Sequence, residues 1–129
     1  MIKRIKKLLK ANSIVVATST TVVIIYLSLA YLNMKALGSF SYMDKLGHFF
    51  AYFVLTCTWF LVARKVSGLM FRVFIAIYVF LFGLLIEGLQ LVLISYRQAD
   101  LYDIVANLMG ILFAFFLYDK MVELTREIS

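Results

Sequence analysis

Four long apolar runs constrain this chain more than any other feature of its sequence. They cover residues 14–32, 46–63, 71–94 and 101–118. Each run is close to the roughly 20 apolar residues that a helix needs to cross a bilayer. The runs are continuously apolar, whereas the strands of a membrane barrel alternate in hydrophobicity over about 10 residues. Because a spanning segment must satisfy its own backbone hydrogen bonds, each run is predicted to form a helix.

These runs leave room for one domain only. Hydrophobic residues make up 64% of the 129 residues and proline is absent, whereas soluble domains are about 45–50% apolar. The sequence therefore predicts an all-α membrane protein, a single four-transmembrane-helix bundle over residues 1–129. Its one cysteine, Cys57, lies inside the second run, which excludes an intramolecular disulfide and a thiolate cluster for metal.

The basic residues are distributed unevenly between the two sides of the predicted membrane. Ten of the 13 Lys and Arg residues precede the first run, lie around the connection between the second and third, or follow the fourth. The remaining three are Lys35, Lys45 and Arg97. By the positive-inside rule both termini are predicted to be cytoplasmic, and the other two connections to face outward. The net charge of +6 is therefore a topology signal and an attraction to anionic lipid, and no nucleic-acid partner is predicted.

A few polar side chains interrupt the last three runs, and they are the candidate functional residues. An ionised group at mid-membrane costs about 2.5–3.5 kcal/mol on insertion scales, so Glu87 should not face lipid without protonation or a partner. At about 1.5 Å per residue, Glu87, Asn107 and Tyr52 lie roughly 10 Å below the outer surface. Three further candidates lie about one turn nearer that surface: His48, Gln90 and Asp103. The polar groups of three helices are thus predicted to converge in the outer half of the membrane.

Four charged residues near the predicted outer surface are interpreted from their positions. Asp44 and Asp100 stand where helix-capping carboxylates stand, and they are equally candidates for contact with a substrate. Arg97 either anchors on lipid phosphate or holds an anionic group, since it is the sole basic residue of its turn. Lys45 is expected to be a solvated interface charge.

The deeper candidates support either chemistry or simple helix packing. His48 and Glu87 are predicted either to share general acid and base work or to form an interhelical hydrogen bond. Asp103 is a third catalytic candidate, while Gln90 and Asn107 would position these groups or the substrate. A metal bound by His48, Glu87 and Asp103 is disfavoured by the single histidine and the scattered spacing, so no metal and no cofactor is predicted.

Two sets of small residues predict close contacts between helices. Gly47 and Ala51 lie one turn apart in the second run and are expected to admit a neighbouring helix. The fourth run repeats small residues every four positions, at Ala106, Gly110 and Ala114. Its inner half is therefore expected to pack tightly.

Two segments of the chain resemble a known family. These are DKLGHFFAYFVLT, residues 44–56, and EGLQ, residues 87–90, the latter followed by Arg97, Asp100, Asp103, Asn107 and Gly110. In order and spacing they resemble the VanZ-like membrane proteins, although the family often has Pro or Pro-Gly where this chain has Ser95 and Tyr96. The family is named for a protein associated with low-level teicoplanin resistance, and its molecular activity is generally unassigned. The resemblance implies a cell-envelope function in a bacterial cytoplasmic membrane.

These patterns together predict an outward-facing polar pocket built by the second, third and fourth spans. The pocket is expected to bind, and in one hypothesis to modify, the headgroup of a lipid or lipid-linked envelope precursor. The alternative is a non-catalytic binding or assembly protein whose polar residues only hold the helices together. A transporter is disfavoured because no polar groups continue through the inner halves of the third and fourth spans. The catalytic candidates are His48, Glu87 and Asp103, and the substrate-binding candidates are Asp44, Tyr52, Gln90, Arg97, Asp100 and Asn107.

Overall fold

The described part of the chain is almost entirely helical. A computed structural model describes residues 1–35, 41–65, 68–93 and 101–128. Its helices are α1 (Ile2–Ala11), α2 (Ser13–Lys35), α3 (Ser41–Val62), which a 3-10 turn (Ala63–Lys65) extends, α4 (Leu69–Leu93) and α5 (Leu101–Ile128). Each of α2 to α5 contains a segment long and apolar enough to cross a membrane. The prediction of an all-α, four-span membrane bundle is confirmed.

Two helical segments exceed what the apolar runs predicted. The basic N-terminal stretch forms a helix of its own, α1, which Asn12 separates from α2. The Asn12 backbone N–H donates to the carbonyl of Leu8, and the Asn12 carbonyl accepts from Val16, so this residue ends one helix and opens the next. Helix α5 continues past the predicted end at residue 118 to Ile128. Both extensions are charged, and hydropathy alone does not detect a helix that leaves the membrane.

Helices α3 and α5 form the central pair of the bundle and run in the same direction. His48 meets Asn107 near their starts, and Phe60 meets Tyr118 near their far ends with ring centroids 5.5 Å apart. Between these contacts the two backbones cross closely at Gly110, where an added Cβ would overlap the carbonyl of Phe49. The close packing predicted for the inner half of α5 is therefore confirmed at Gly110 and at the buried Ala114.

The corresponding prediction for Gly47 is wrong. Within the described part of the chain, a Cβ built on Gly47 meets no atom within 4 Å, because this residue borders a cavity. Ala51, its predicted partner, packs against the buried core. The sequence signal for close approach is thus correct on α5 and incorrect on α3.

Helices α2 and α4 both pack against α3. Two hydrogen bonds hold α2 in place: Gln90 Nε2 donates to the Ser28 carbonyl at 2.9 Å, and Trp59 Nε1 donates to Thr21 Oγ1 at 3.2 Å. Between these bonds lies a cluster of buried side chains, namely Ile24, Tyr52, Leu55, Val79 and Ile111. The core therefore lies where α2, α3, α4 and α5 meet.

The two ends of the bundle differ in chemistry. The end where α3 and α5 begin, here called the polar end, carries the predicted functional residues. The opposite end, here called the basic end, is held by arginines. Arg72 donates to both carboxylate oxygens of Asp119 at 2.7 Å and lies over the rings of Phe60 and Tyr118. Arg64 donates to the Lys10 carbonyl at 2.9 Å, which ties α3 to the end of α1.

Candidate functional site

A cluster of charged and polar side chains joins α3 to α5 at the polar end. His48 Nδ1 lies 3.0 Å from Asn107 Oδ1. On the other side of the ring, His48 Nε2 lies 3.8 Å from an oxygen of Asp44 and 3.7 Å from an oxygen of Asp103. The cluster forms because α3 and α5 are parallel, so that the first turn of each helix brings its aspartate to the same level. Asp44, His48, Asp103 and Asn107, all predicted candidates, are thus brought together.

Lys45 belongs to this cluster, contrary to the expectation of a solvated interface charge. Its ammonium lies 2.5 Å from Asp103 Oδ1 and 3.7 Å from Asp44 Oδ2, and its side chain is 24% exposed. Counting depth along one helix could not detect this, since the partner carboxylate is on α5. The available signal was the short charged sequence from Asp44 to His48 facing an aspartate in the first turn of another helix.

The ligand atoms of this cluster are close enough together to bind a cation, and the Lys45 ammonium is the cation that they face. Asp44, His48 and Asp103 each offer a ligand atom, and these atoms lie within 4.8 Å of one another. This set contains Asp44 where the disfavoured metal alternative had Glu87. Because the Lys45 ammonium already neutralises charge between the two carboxylates, the arrangement does not require a metal.

A second group of buried polar side chains lies deeper, at the interface of α3 and α4. Tyr52, Glu87 and Gln90 are each buried, and Glu87 lies beside the Tyr52 phenol. Gly83 makes this contact possible, since an added Cβ would lie 3.0 Å from the Tyr52 ring and 3.2 Å from Asn107 Nδ2. The neighbours of His48 include Asp44, Asp103 and Asn107. Glu87, its expected partner, lies beside Tyr52.

Two polar atoms in this deeper group lack hydrogen-bond partners. Within the described ranges, neither the Tyr52 hydroxyl nor Gln90 Oε1 makes a hydrogen bond. A buried polar group left unsatisfied costs about 1–3 kcal/mol, so such groups in native proteins usually face a ligand, a water or an ion. Tyr52 and Gln90 are each 2% exposed, so bulk water does not reach these atoms and a bound ligand, water or ion would be their partner.

A cavity of about 210 Å³ adjoins both groups at the polar end. It is here called the polar cavity, and its lining includes Ser28, Asp44, Gly47, His48, Tyr52 and Gln90. The walls of this cavity are therefore α2, α3 and α4, whereas the expected pocket lies between the second, third and fourth spans. Helix α2 is the wall that the sequence does not predict. It was overlooked because it has no charged side chain in its span and because its polar contribution is the backbone carbonyl of Ser28.

Three of the predicted residues are not part of the lining of this cavity. Asp103 and Asn107 are buried behind His48 and support it from α5. Glu87 is buried beside Tyr52. Arg97 and Asp100 lie outside the described residues, so their proposed roles in binding and capping stay predictions.

Comparison with protein-family models, with curated proteins and with solved structures finds no match to this chain. Its class is therefore defined by its own fold, a multi-pass all-α membrane protein. More particularly, it has an ion-paired cluster and an adjoining polar cavity at one end of the bundle. The resemblance to VanZ-like proteins stays an expectation based on residues 44–56 and 87–110.

Proposed function

We propose that this chain is a VanZ-like membrane protein that binds the headgroup of a lipid, or of a lipid-linked envelope precursor, in the polar cavity. The observation that supports this most is the pair of unsatisfied polar atoms, the Tyr52 hydroxyl and Gln90 Oε1, on residues that line a cavity inside a membrane-spanning bundle. The distribution of basic residues predicts that the cavity faces outward, and the resemblance to VanZ-like proteins implies a bacterial cytoplasmic membrane.

The chemistry around the cavity favours a headgroup that can donate hydrogen bonds. Asp44 and Gln90 offer acceptor oxygens at its lining, whereas the nearest ammonium, that of Lys45, is already paired with carboxylates. Hydroxyl or ammonium groups of a headgroup would meet these acceptors. The Tyr52 hydroxyl can donate to a phosphate or ester oxygen, and Arg97 is the predicted partner for a negative group.

His48 is the residue best placed for proton transfer if the bound molecule is also modified. The amide oxygen of Asn107 accepts from Nδ1, which fixes the proton on that nitrogen and leaves Nε2 as the basic position. Nε2 lies 3.8 Å from an oxygen of Asp44 and 3.7 Å from an oxygen of Asp103, so the two carboxylates hold the ring between them. In this proposal His48 is the general base, Asp103 acts through it as a positioning residue, and Glu87 is the second acid or base.

The alternative proposal is a non-catalytic assembly role, and it has its own support. The Lys45–Asp103 and His48–Asn107 contacts both join α3 to α5, as interhelical fastenings would. In that case the polar residues stabilise the bundle and bind nothing. The two proposals differ at Tyr52, whose hydroxyl joins no described pair of helices by a hydrogen bond.

Native mass spectrometry of the Tyr52→Phe variant separates them. Purified protein would be freed of lipid and then incubated with phosphatidylglycerol or with phosphatidylethanolamine. Loss of one hydrogen bond, about 1 kcal/mol, should raise the Kd for the lipid about fivefold, measured as adduct occupancy over a lipid titration. The Tm should not fall, because the hydroxyl removed is unsatisfied in the free protein. Tyr26→Phe, on an exposed face of α2, is the matched control and should bind as the unmodified chain does.

Two results would contradict headgroup binding. One is the absence of a stoichiometric adduct with the unmodified chain for either lipid. The other is equal occupancy in the Tyr52→Phe and Tyr26→Phe variants. A fall in the Tm of His48→Ala together with either result would favour the assembly role.

A further inference from the structure

A second cavity lies below the polar cavity between the same three helices. It has a volume of about 570 Å³ and is here called the apolar cavity. Its lining includes Thr21, Leu55, Trp59, Ile75, Val79 and Phe82. The volume is within the roughly 300–1,000 Å³ typical of ligand sites. Apolar side chains dominate its walls, so whatever fills it is apolar too.

The two cavities follow one face of α3. Asp44, His48 and Tyr52 line the polar cavity, and Leu55 and Trp59 line the apolar one. These five residues are spaced by three or four positions, which places them on a single stripe of the helix. The step from Tyr52 to Leu55 is three residues, about 4.5 Å along the axis. The polar cavity therefore gives way to the apolar cavity within one helical turn.

The two cavities lie one after the other along the seam of α2 and α4, since both helices contribute to the lining of each. These two helices contact each other less than either contacts α3. Ile24 borders the polar cavity, Val79 borders the apolar cavity, and both belong to one buried cluster. The Gln90–Ser28 hydrogen bond crosses the seam beside the polar cavity. The seam thus has a polar cavity toward one end and an apolar cavity toward the other.

We propose that one glycerophospholipid of the surrounding bilayer occupies both cavities, with its headgroup in the polar cavity and one acyl chain in the apolar cavity. This inference rests on the proposed headgroup binding and adds the class and posture of the ligand. The order of the cavities matches such an amphiphile, whose donors and phosphate are followed by a flexible hydrocarbon chain. A partner helix, roughly 10 Å wide, does not fit a polar cavity of about 210 Å³.

The two ends of the lipid contribute differently to binding. An acyl chain leaves an environment of other acyl chains, so its entry into the protein gains no hydrophobic free energy. What it gains is contact with cavity walls that would otherwise lack neighbours. Selectivity therefore comes from Tyr52, Gln90 and the polar cavity, whereas the apolar cavity fixes the depth and direction of the chain.

The single tryptophan of the sequence makes this inference testable. Trp59 lines the apolar cavity and is held there by its hydrogen bond to Thr21. Bromine atoms in the middle of an acyl chain quench tryptophan fluorescence on contact. We would place the full chain in phosphatidylcholine nanodiscs and replace the lipid stepwise by phosphatidylglycerol or phosphatidylethanolamine with a brominated chain. A bound chain predicts quenching that saturates well before the bulk lipid has been replaced.

Substitutions inside and outside the cavity supply the comparison. Ile75→Phe fills the apolar cavity and should abolish the saturable quenching. Ile77→Phe makes the same change on the exposed face of α4 and should leave the quenching intact. Val62→Phe fills the cavity from α3 and is the second test if Ile75→Phe lowers the helical content seen by circular dichroism. Tyr52→Phe should shift the midpoint of the saturable quenching about fivefold toward a higher brominated fraction, because it lowers the affinity for the lipid.

The possible results distinguish this inference from the proposed function. Quenching that rises in proportion to the brominated fraction, and is equal in Ile75→Phe and Ile77→Phe, would overturn the chain site. Lipid adducts that depend on Tyr52 would still support headgroup binding in that case. Saturable quenching that ignores Tyr52→Phe would also overturn a single lipid spanning both cavities. The absence of both adducts and saturable quenching would remove the two proposals together.

Discussion

Lys45 is the residue on which the polar end depends. Two carboxylates that are almost fully buried face its ammonium, one from its own helix and one from α5. Breaking a buried ion pair by removing one partner leaves an uncompensated charge, at a cost of about 3–5 kcal/mol when burial is complete. The cost here should be smaller, since the Lys45 side chain is 24% exposed.

The Lys45→Met substitution is therefore expected to lower the Tm of the protein in detergent. It should also create affinity for Zn²⁺, because ligand atoms of Asp44, His48 and Asp103 within 4.8 Å of one another would lose their own cation. Adding zinc chloride should then raise the Tm of this variant and leave that of the unmodified chain unchanged.

The control for this experiment is Lys120→Met, which removes an exposed lysine at the basic end. An unchanged Tm for Lys45→Met would contradict the role assigned to this lysine. A drop in Tm that zinc does not reverse would still support the stabilising role of the Lys45 ion pair, but it would contradict the predicted zinc binding.

Among the elements, α3 and α5 make the closest contact of the bundle. Gly110→Ala places a methyl group against the carbonyl of Phe49 and 3.0 Å from the amide nitrogen of Phe53, and neither backbone atom can rotate away. The helices must separate, with an expected cost of about 1–3 kcal/mol. The expected result is a lower Tm. The Lys45–Asp103 and His48–Asn107 contacts should also weaken, because they join the same two helices.

Gly88→Ala provides the matched control on α4. A Cβ at Gly88 meets nothing within 4 Å, so the substitution should stabilise the helix by about 0.5–1 kcal/mol. Equal Tm values for Gly110→Ala and Gly88→Ala would contradict the close crossing of α3 and α5 at Gly110.

The sequence was informative about elements wherever the signal is local. Long apolar runs located all four spans, and depth counting predicted that polar residues of different helices meet, as His48, Asp103 and Asn107 do. It failed where the outcome depends on a neighbouring helix. Gly47 faces a cavity rather than a helix, and α2 contributes to the wall of that cavity through the Ser28 backbone carbonyl, which no residue type reveals.

At the scale of the whole molecule, contacts at the basic end hold α4 against α5. Arg72 uses both guanidinium nitrogens on Asp119 and lies over two aromatic rings, a combination that lysine cannot reproduce. Asp119 is 69% exposed, so the ion pair itself should contribute at most about 1 kcal/mol. Each cation–π contact adds about 0.5–1 kcal/mol.

Arg72→Lys is accordingly expected to destabilise the bundle by about 1–2 kcal/mol, measured by thermal denaturation in detergent. Arg64→Lys, which affects a single bond to the Lys10 carbonyl, should have a smaller effect. A larger loss for Arg64→Lys would show that α1, and not the contact of α4 with α5, secures this end. Lipid adducts should persist in both variants, because both residues lie at the end opposite to the polar cavity.

The parallel course of α3 and α5 also sets the electrostatics of the polar end. Each helix N-terminus carries a partial charge of about +0.5 from its aligned peptide dipoles. Asp44 and Asp103 lie in these two first turns, so the backbone supplies roughly one positive charge where two carboxylates are buried. With the ammonium of Lys45 the sum is close to neutral. The charges of the two aspartates are therefore balanced by Lys45 and the two helix N-termini, without a contribution from His48.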